Sequence, residues 1–205
     1  MKTAVFGSTG RVGQELVRIF AQNGQPVRAL VRTPEKHIYT GSAEIIKGNV
    51  RNPEAVKESV KGCSSIISCL NTDGDDTLSA GLFTIIDAAS HAGIKRIITV
   101  GTAGILKARS NPSLYRYQSD ESKRRSTRAA EEHAKVYEML LRTELNWTIA
   151  CPTYLPDGKL TGSYRCEAEF LPEGGTSISV QDTADFVFKE WQNPSFIRKR
   201  AGLAY

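Results

Sequence analysis

The chain has 205 residues, enough for one well-buried core, whereas two complete domains would each be small. Hydrophobic residues at 40% and charged residues at 24% are ordinary for a soluble globular protein, and no apolar run approaches the ~18 residues of a membrane span. The 27 Lys and Arg outnumber the 22 Asp and Glu, and the resulting net charge of +5 suits an anionic partner without requiring one.

Residues 1–13 (MKTAVFGSTGRVG) begin with a short apolar strand at 2–6, pass through Gly7, Gly10 and Gly13, and lead into a helical pattern over 14–23. A glycine at the strand end permits the turn, a second lets backbone approach a pyrophosphate, and a third lets the helix pack closely. The helix N-terminal amides then face phosphate. This order predicts a dinucleotide site in which Gly7, Ser8, Thr9, Gly10, Arg11, Val12 and Gly13 hold the cofactor. The spacing is Gly-x-x-Gly-x-x-Gly and not the usual Gly-x-Gly-x-x-Gly, so the reading rests equally on the flanking strand and helix. The apolar run after Lys2 is too short for a secretory leader, and the mature chain is expected to start at Met1.

A turn at 22–25 leads to a second strand at 26–31, closed by Arg32. A third strand follows at 43–46, a proline-opened helix at 53–60, and a fourth strand at 64–69 that is apolar on both faces. Residues 77–92 read as a helix stopped by Gly93, and 96–100 as a fifth strand. No period holds over 101–119, which predicts a long functional or disordered loop. A helix at 126–143, a sixth strand at 146–150 ending at Pro152, a loop with Asp157-Gly158, short strands near 160–166 and 176–179, and a helix at 181–191 complete the chain.

Such alternation predicts an α/β, Rossmann-type, doubly wound parallel sheet with helices on both faces. Residues 1–205 form a single domain in this reading, with a small C-terminal extension on the substrate side. Ligands of such sheets bind outside the carboxyl ends of the strands. That rim gathers residues 7–13, Arg32, Asn49, Val50, residues 69–72 including Cys69 and Leu70, residues 101–104, and Pro152, Thr153, Tyr154 and Leu155.

An NAD site would carry an acidic residue at the end of the second strand, where this chain has Arg32. A guanidinium fits the adenosine 2′-phosphate, and Arg11 and Lys36 add charge nearby, so NADP (NADPH) is the expected cofactor. The four cysteines show no metal spacing, no metal is expected, and a reducing, cytoplasmic setting fits them. The basic run at 123–128 lacks interleaved aromatics and reads as a solvated helix start, not a nucleic-acid site. The run at 198–200 reads the same way.

The segments GSTGRVG, VRTPEK from Val31, GNV at 48–50 and WTIACP from Trp147 together resemble the NmrA-like, NAD(P)-binding branch of the atypical short-chain dehydrogenase/reductases. The tail segments LTGSY at 160–164 and ISVQD at 178–182, with Glu132-His133, are similar to the flavin reductase or biliverdin-IXβ reductase group, and the resemblance covers essentially the whole chain. It implies an NADPH-dependent reductase, monomeric or weakly dimeric, with a shallow, open site for a flat conjugated substrate. An alternative within the same resemblance is a non-catalytic NADP-binding redox sensor that regulates a partner.

Short-chain dehydrogenases generally use Tyr-x-x-x-Lys, in which the lysine lowers the tyrosine pKa. Here Tyr39, Tyr115, Tyr117, Tyr137, Tyr154 and Tyr164 precede Ala43, Ser119, Glu121, Leu141, Gly158 and Ala168 by four positions, and Tyr205 is followed by nothing. A conjugated acceptor such as a flavin, quinone or linear tetrapyrrole delocalises the incoming charge itself, so orientation over the nicotinamide suffices and water supplies the proton. Thr102 matches the family's active-site serine, and Tyr154 stands where the flavin reductase group has a histidine, free to stack on a flat ligand. Both are the candidate catalytic residues. His133 reads as a satisfied, partly buried histidine, and Asp157 and Asp182 as turn and helix-start residues.

Overall fold

The computed structural model describes residues 1–36, 43–72, 74–122 and 126–205. The expected contributions of the Lys36 side chain and of Lys123, Arg124 and Arg125 lie outside that description. Among the described residues eight strands form one sheet: β1 (Lys2–Phe6), β2 (Val27–Val31), β3 (Glu44–Lys47), β4 (Cys63–Ser68), β5 (Arg96–Val100), β6 (Asn146–Pro152), β7 (Arg165–Ala168) and β8 (Lys199–Ala204). Their order is β3-β2-β1-β4-β5-β6-β8-β7, and only β7 runs antiparallel, against β8. The chain reverses its direction of growth between β1 and β4, and that switch point opens a crevice at the carboxyl ends.

The central strands are buried on both faces, which explains their nearly continuous apolar sequences. Ala4, Phe6 and Ile66 face helices α2 (Pro53–Val60), α3 (Thr77–His91) and α4 (Arg128–Leu141), while Val5 and Ile67 face α1 (Arg11–Gln22) and α5 (Val180–Gln192). On the first face Trp147 meets Tyr137 edge to face, and on the second Phe20 packs against Phe188 and Trp191. Among the described residues no helix is long and apolar enough to cross a membrane.

Of the two alternatives for residues 101–119, the segment is ordered: Ile105, Leu106 and Ala108 are fully buried, and backbone bonds from Ala108 N to Leu114 O and from Arg116 N to Leu106 O fold it on itself. Two other expectations need correction. The tail strand near 160–166 is confined to Arg165–Ala168, and that near 176–179 shrinks to a single bridge between Ser177 and Tyr154. In the basic run at 198–200, Arg198 and Lys199 are exposed as expected, but Arg200 is buried. Arg200 lies in β8, pairs with Glu169, donates to the Ile105 carbonyl, and has its guanidinium 4.1 Å from the centre of the Tyr137 ring. Arg198 donates to the carbonyls of Thr143 and Leu145, closing the end of α4.

Candidate functional site

The three glycines of the first loop have different physical duties. Gly7 has a φ of +74°, a left-handed conformation, and a Cβ there would lie 2.5 Å from the backbone of Cys69. At Gly13 a Cβ would stand 2.1 Å from Gly7 O, so this glycine lets α1 seat against the loop. Gly10 is required for neither reason: its φ is −76°, and its nearest protein atom would be an ordinary 3.4 Å away. The fold does not need a glycine at position 10, and its absent side chain leaves the loop open to a ligand.

Gly10 is also the N-cap of α1, and no side chain caps that helix, whereas Asn52 caps α2 and Ser179 caps α5. The first intrahelical bond runs from Gln14 N to Gly10 O, which leaves the amides of Arg11, Val12 and Gly13 ahead of it for an anion. A dinucleotide pyrophosphate fits this loop by geometry and by charge. Ser8 is fully buried, with its hydroxyl unpartnered among the described residues.

Three openings line up along the carboxyl rim. The first, about 370 Å³, is bounded by Gly7, Thr9 and Gly10 from the loop, Arg32 and Thr33 after β2, Asn49 and Val50 after β3, and Cys69 and Leu70 after β4. Arg32 is exposed there and makes no ion pair or hydrogen bond among the described residues, whereas Arg51 is tied to Asp75 and Asp76. Cys69 has its pKa pushed up to about 12 by burial, so its thiol is a neutral wall atom. Arg11 corrects the expectation that it joins Arg32. It turns the other way and donates to Leu155 O at 2.9 Å and to Asp157 at 3.2 Å, tying the start of α1 to the loop after β6.

The second opening, about 110 Å³, shares Gly10, Cys69, Leu70 and Asn71 with the first and adds Arg11, Val12, Val100, Gly101, His133 and Leu155. Next to it lies a cavity of about 410 Å³ that includes both candidate catalytic residues, Thr102 and Tyr154, with Thr153, Thr176, Arg116, Tyr117, Ser122 and Ser126. Tyr154 is 64% exposed at its edge. Thr102 Oγ1 accepts from Gly104 N at 3.3 Å, so its hydroxyl caps the turn after β5 while facing the cavity. Arg116 is paired with Glu121 at 3.2 Å. Pro152, expected on the rim, is the buried last residue of β6 and borders none of these openings.

A fold that offers a crevice, an uncapped glycine-started helix and a phosphate-sized space at Gly10 is a nucleotide-binding fold, and residues 7–194 match the NAD(P)H-binding family. This chain belongs to that family. YhfK of Bacillus subtilis, named as an uncharacterised sugar epimerase, is 36% identical over 111 residues, 49% of this chain and 52% of its own length. A ketoreductase of Stigmatella aurantiaca acting on 4-hydroxy-2-methyl-3-oxo-4-farnesyl-3,4-dihydroquinoline-1-oxide is 33% identical over 132 residues, 60% of this chain and 38% of its own. The match thus spans about half or less of these curated relatives. A solved Streptococcus pneumoniae structure described as a candidate NADH-flavin reductase superposes with a TM-score of 0.82 at 26% identity, covering 100% of this chain and 99% of that one. The resemblance to NmrA-like, atypical short-chain dehydrogenase/reductases agrees with this family match and this neighbour.

Sequence reasoning missed one feature of this NAD(P)H-binding chain. Arg116, Tyr117 and Ser122 line the large cavity from the aperiodic segment after β5, and no local pattern marked them. His133 is buried, as its apolar helical neighbours predict; Ala134 and Val136 enter the core, and His133 also borders the opening next to Gly10. Asp182 has the structural duty expected of it: at the start of α5 it accepts from Thr161 N and Oγ1, Gly162 N and the Tyr205 hydroxyl, which fastens the 157–164 loop.

Proposed function

We propose that this chain is an NADPH-dependent reductase that passes hydride to a flat conjugated acceptor, a flavin, quinone or linear tetrapyrrole, with residues 1–205 as one working unit. The observation that carries this reading is the succession of openings along one rim: an arginine-flanked cleft, the Gly10 loop, and then a cavity edged by Tyr154. Laid along it, the adenosine 2′-phosphate meets Arg32, the pyrophosphate meets the α1 amides, and the nicotinamide end points to Thr102 and Tyr154.

When bound, the nicotinamide supplies a hydride, and the chain's residues bind and orient. The acceptor takes that hydride and one proton from solvent, leaving NADP⁺ and the two-electron-reduced acceptor. Water reaches the open cavity. Tyr117 is held above the ordinary phenol value by burial and by Glu131 and Glu138, the reverse of what a neighbouring lysine does. Tyr154 offers a ring face on which a planar acceptor stacks. Thr102, fixed by its turn, presents a hydroxyl to the carboxamide or to the acceptor.

The test is NADPH oxidation by the purified chain against panels of flavins, quinones and tetrapyrroles, with NADH in parallel. Turnover of at least one class, faster with NADPH, is expected. Tight NADPH binding with no acceptor reduced would instead favour the redox-sensor reading, which the missing Tyr-x-x-x-Lys also accommodates.

A further inference from the structure

Hydroxyls and small side chains border most of the large cavity, and Arg116 is its one cationic side chain among the described residues. That arginine opens a 3-10 turn at Arg116–Gln118, and its backbone N donates to Leu106 O at 2.7 Å, so the main chain fixes where the side chain starts. Glu121 fixes where it ends: Arg116 Nε donates to Glu121 Oε2 at 3.2 Å and Nη2 to the Glu121 carbonyl at 3.1 Å. Glu121 is itself held, since its Oε1 accepts from Ser110 N at 2.9 Å and from Ser110 Oγ at 3.1 Å. A guanidinium carries N–H donors on both edges of a planar fork, and these bonds leave Nη1 without an acceptor among the described residues. The side chain is 17% exposed, so those open donors are partly shielded from bulk water. Partial burial strengthens a charged hydrogen bond, and a side chain already fixed loses little rotamer freedom on binding.

We propose that Arg116 is a specificity-determining residue that receives an anionic substituent of the acceptor, a carboxylate or a phosphate, while the planar ring system lies against Tyr154. This rests on the reading of the cavity as the acceptor site. A neutral ring gives the open Nη1 donors no partner of matching charge, whereas carboxylate and phosphate oxygens fit the guanidinium fork. Glu121 also borders the cavity, but three donors already occupy its carboxylate, so it is a positioning residue that aims Arg116 and not a second binding group. Ser122 and Ser126, also on the cavity, supply hydroxyls for the remaining oxygens of the anion. The Arg116–Glu121 pair is neutral as a whole, so the selectivity comes from donor geometry at short range and not from a long-range field.

The experiment measures binding to the full chain in saturating NADP⁺, which keeps phosphate probes off the glycine loop, with two matched pairs. Riboflavin is compared with flavin mononucleotide, which adds a phosphate, and biliverdin dimethyl ester with biliverdin, which bears free carboxylates; flavin fluorescence and tetrapyrrole absorbance report binding. At least one anionic member should bind roughly tenfold tighter than its neutral partner. A preference in the phosphate pair alone points to a nucleotide side chain, and one in the carboxylate pair alone to a tetrapyrrole acid. Arg116→Gln should remove the preference and leave the neutral members nearly unchanged, while Arg116→Lys should keep part of it, because the charge stays and the fork is lost. Equal affinity within both pairs, binding of none of the four probes, or an equal loss for neutral and anionic members in Arg116→Gln overturns the proposal. The first two outcomes are read on the unaltered chain, so misfolding of a variant does not shield it. An anion preference that depends on Arg116, with no hydride passed from NADPH to any of the four, would overturn the reductase reading and leave the anion site standing.

Discussion

Replacement of Gly10 by valine separates binding from folding, because position 10 is the one glycine of the loop that the protein's own packing does not require. A Cβ there meets nothing closer than 3.4 Å and the backbone is in an ordinary region, so the folding cost is that of a poor N-cap, about 1 kcal/mol. For a chain of this size that lowers the melting temperature by roughly 2–4 °C. The added methyl groups occupy the space over the amides of Arg11, Val12 and Gly13. A hydrogen bond to a charged group contributes about 1.5–3 kcal/mol, so loss of two weakens NADPH by ~10²- to 10⁴-fold. Gly13→Ala supplies the contrast: its Cβ would sit 2.1 Å from Gly7 O, so it should destabilise the fold by about 1–3 kcal/mol or more and lose binding with it. Fluorescence titration with NADPH and thermal melts on both variants decide the matter. Retained affinity in a folded Gly10→Val would place the phosphates elsewhere, and its unfolding would show that position 10 is needed by the fold.

Arg32→Asp should weaken NADPH by about tenfold or somewhat more, the lower end for a charged contact at an exposed site, and leave NADH nearly unchanged; equal losses for both would refute the 2′-phosphate assignment. Tyr154→Phe should keep most of the acceptor-reduction rate while Tyr154→Ala raises the apparent Michaelis constant, and Thr102→Ala should cost roughly three- to tenfold in turnover. A thousandfold fall in Tyr154→Phe with NADPH binding intact would make Tyr154 the proton donor. Burial tends to raise the pKa of Asp182, but hydrogen bonds from Thr161, Tyr205 and Gly162 overcome it and hold the carboxyl below its ordinary value. Its stabilisation is therefore present above the unfolded value of about 3.9 and lost as pH falls through the lower folded value. Asp182→Asn should reduce stability near neutral pH by about 1.5–3 kcal/mol and flatten the acid limb of a denaturation-midpoint against pH curve; an unchanged limb would exclude Asp182 as its source.

What the sequence by itself determined is the set of features encoded within a few residues. The proline at 53 and the Asn52 cap start α2 at the position read from the sequence, and the RIITV run defines β5 at Arg96–Val100. The glycine loop and the arginine ending β2 were legible for the same reason, since a turn, a cap or a strand period depends on near neighbours. The tertiary structure decided whatever depends on partners far along the chain. Arg11 reads as a phosphate ligand until Asp157, 146 residues away, accepts from it. Arg200 reads as a surface charge until Glu169 and the rings of Tyr115 and Tyr137 enclose it. The segment after β5 has no period because its buried residues face the 3-10 turns and strands around them and not one regular surface, so its cavity-lining residues were invisible locally. Helical spacing places His133 near the core face, and only the approach of α4 to the loop at Gly10 makes that buried position also a wall of the opening there. A charge or an imidazole acquires its meaning from what the chain brings to it, and no local period carries that information.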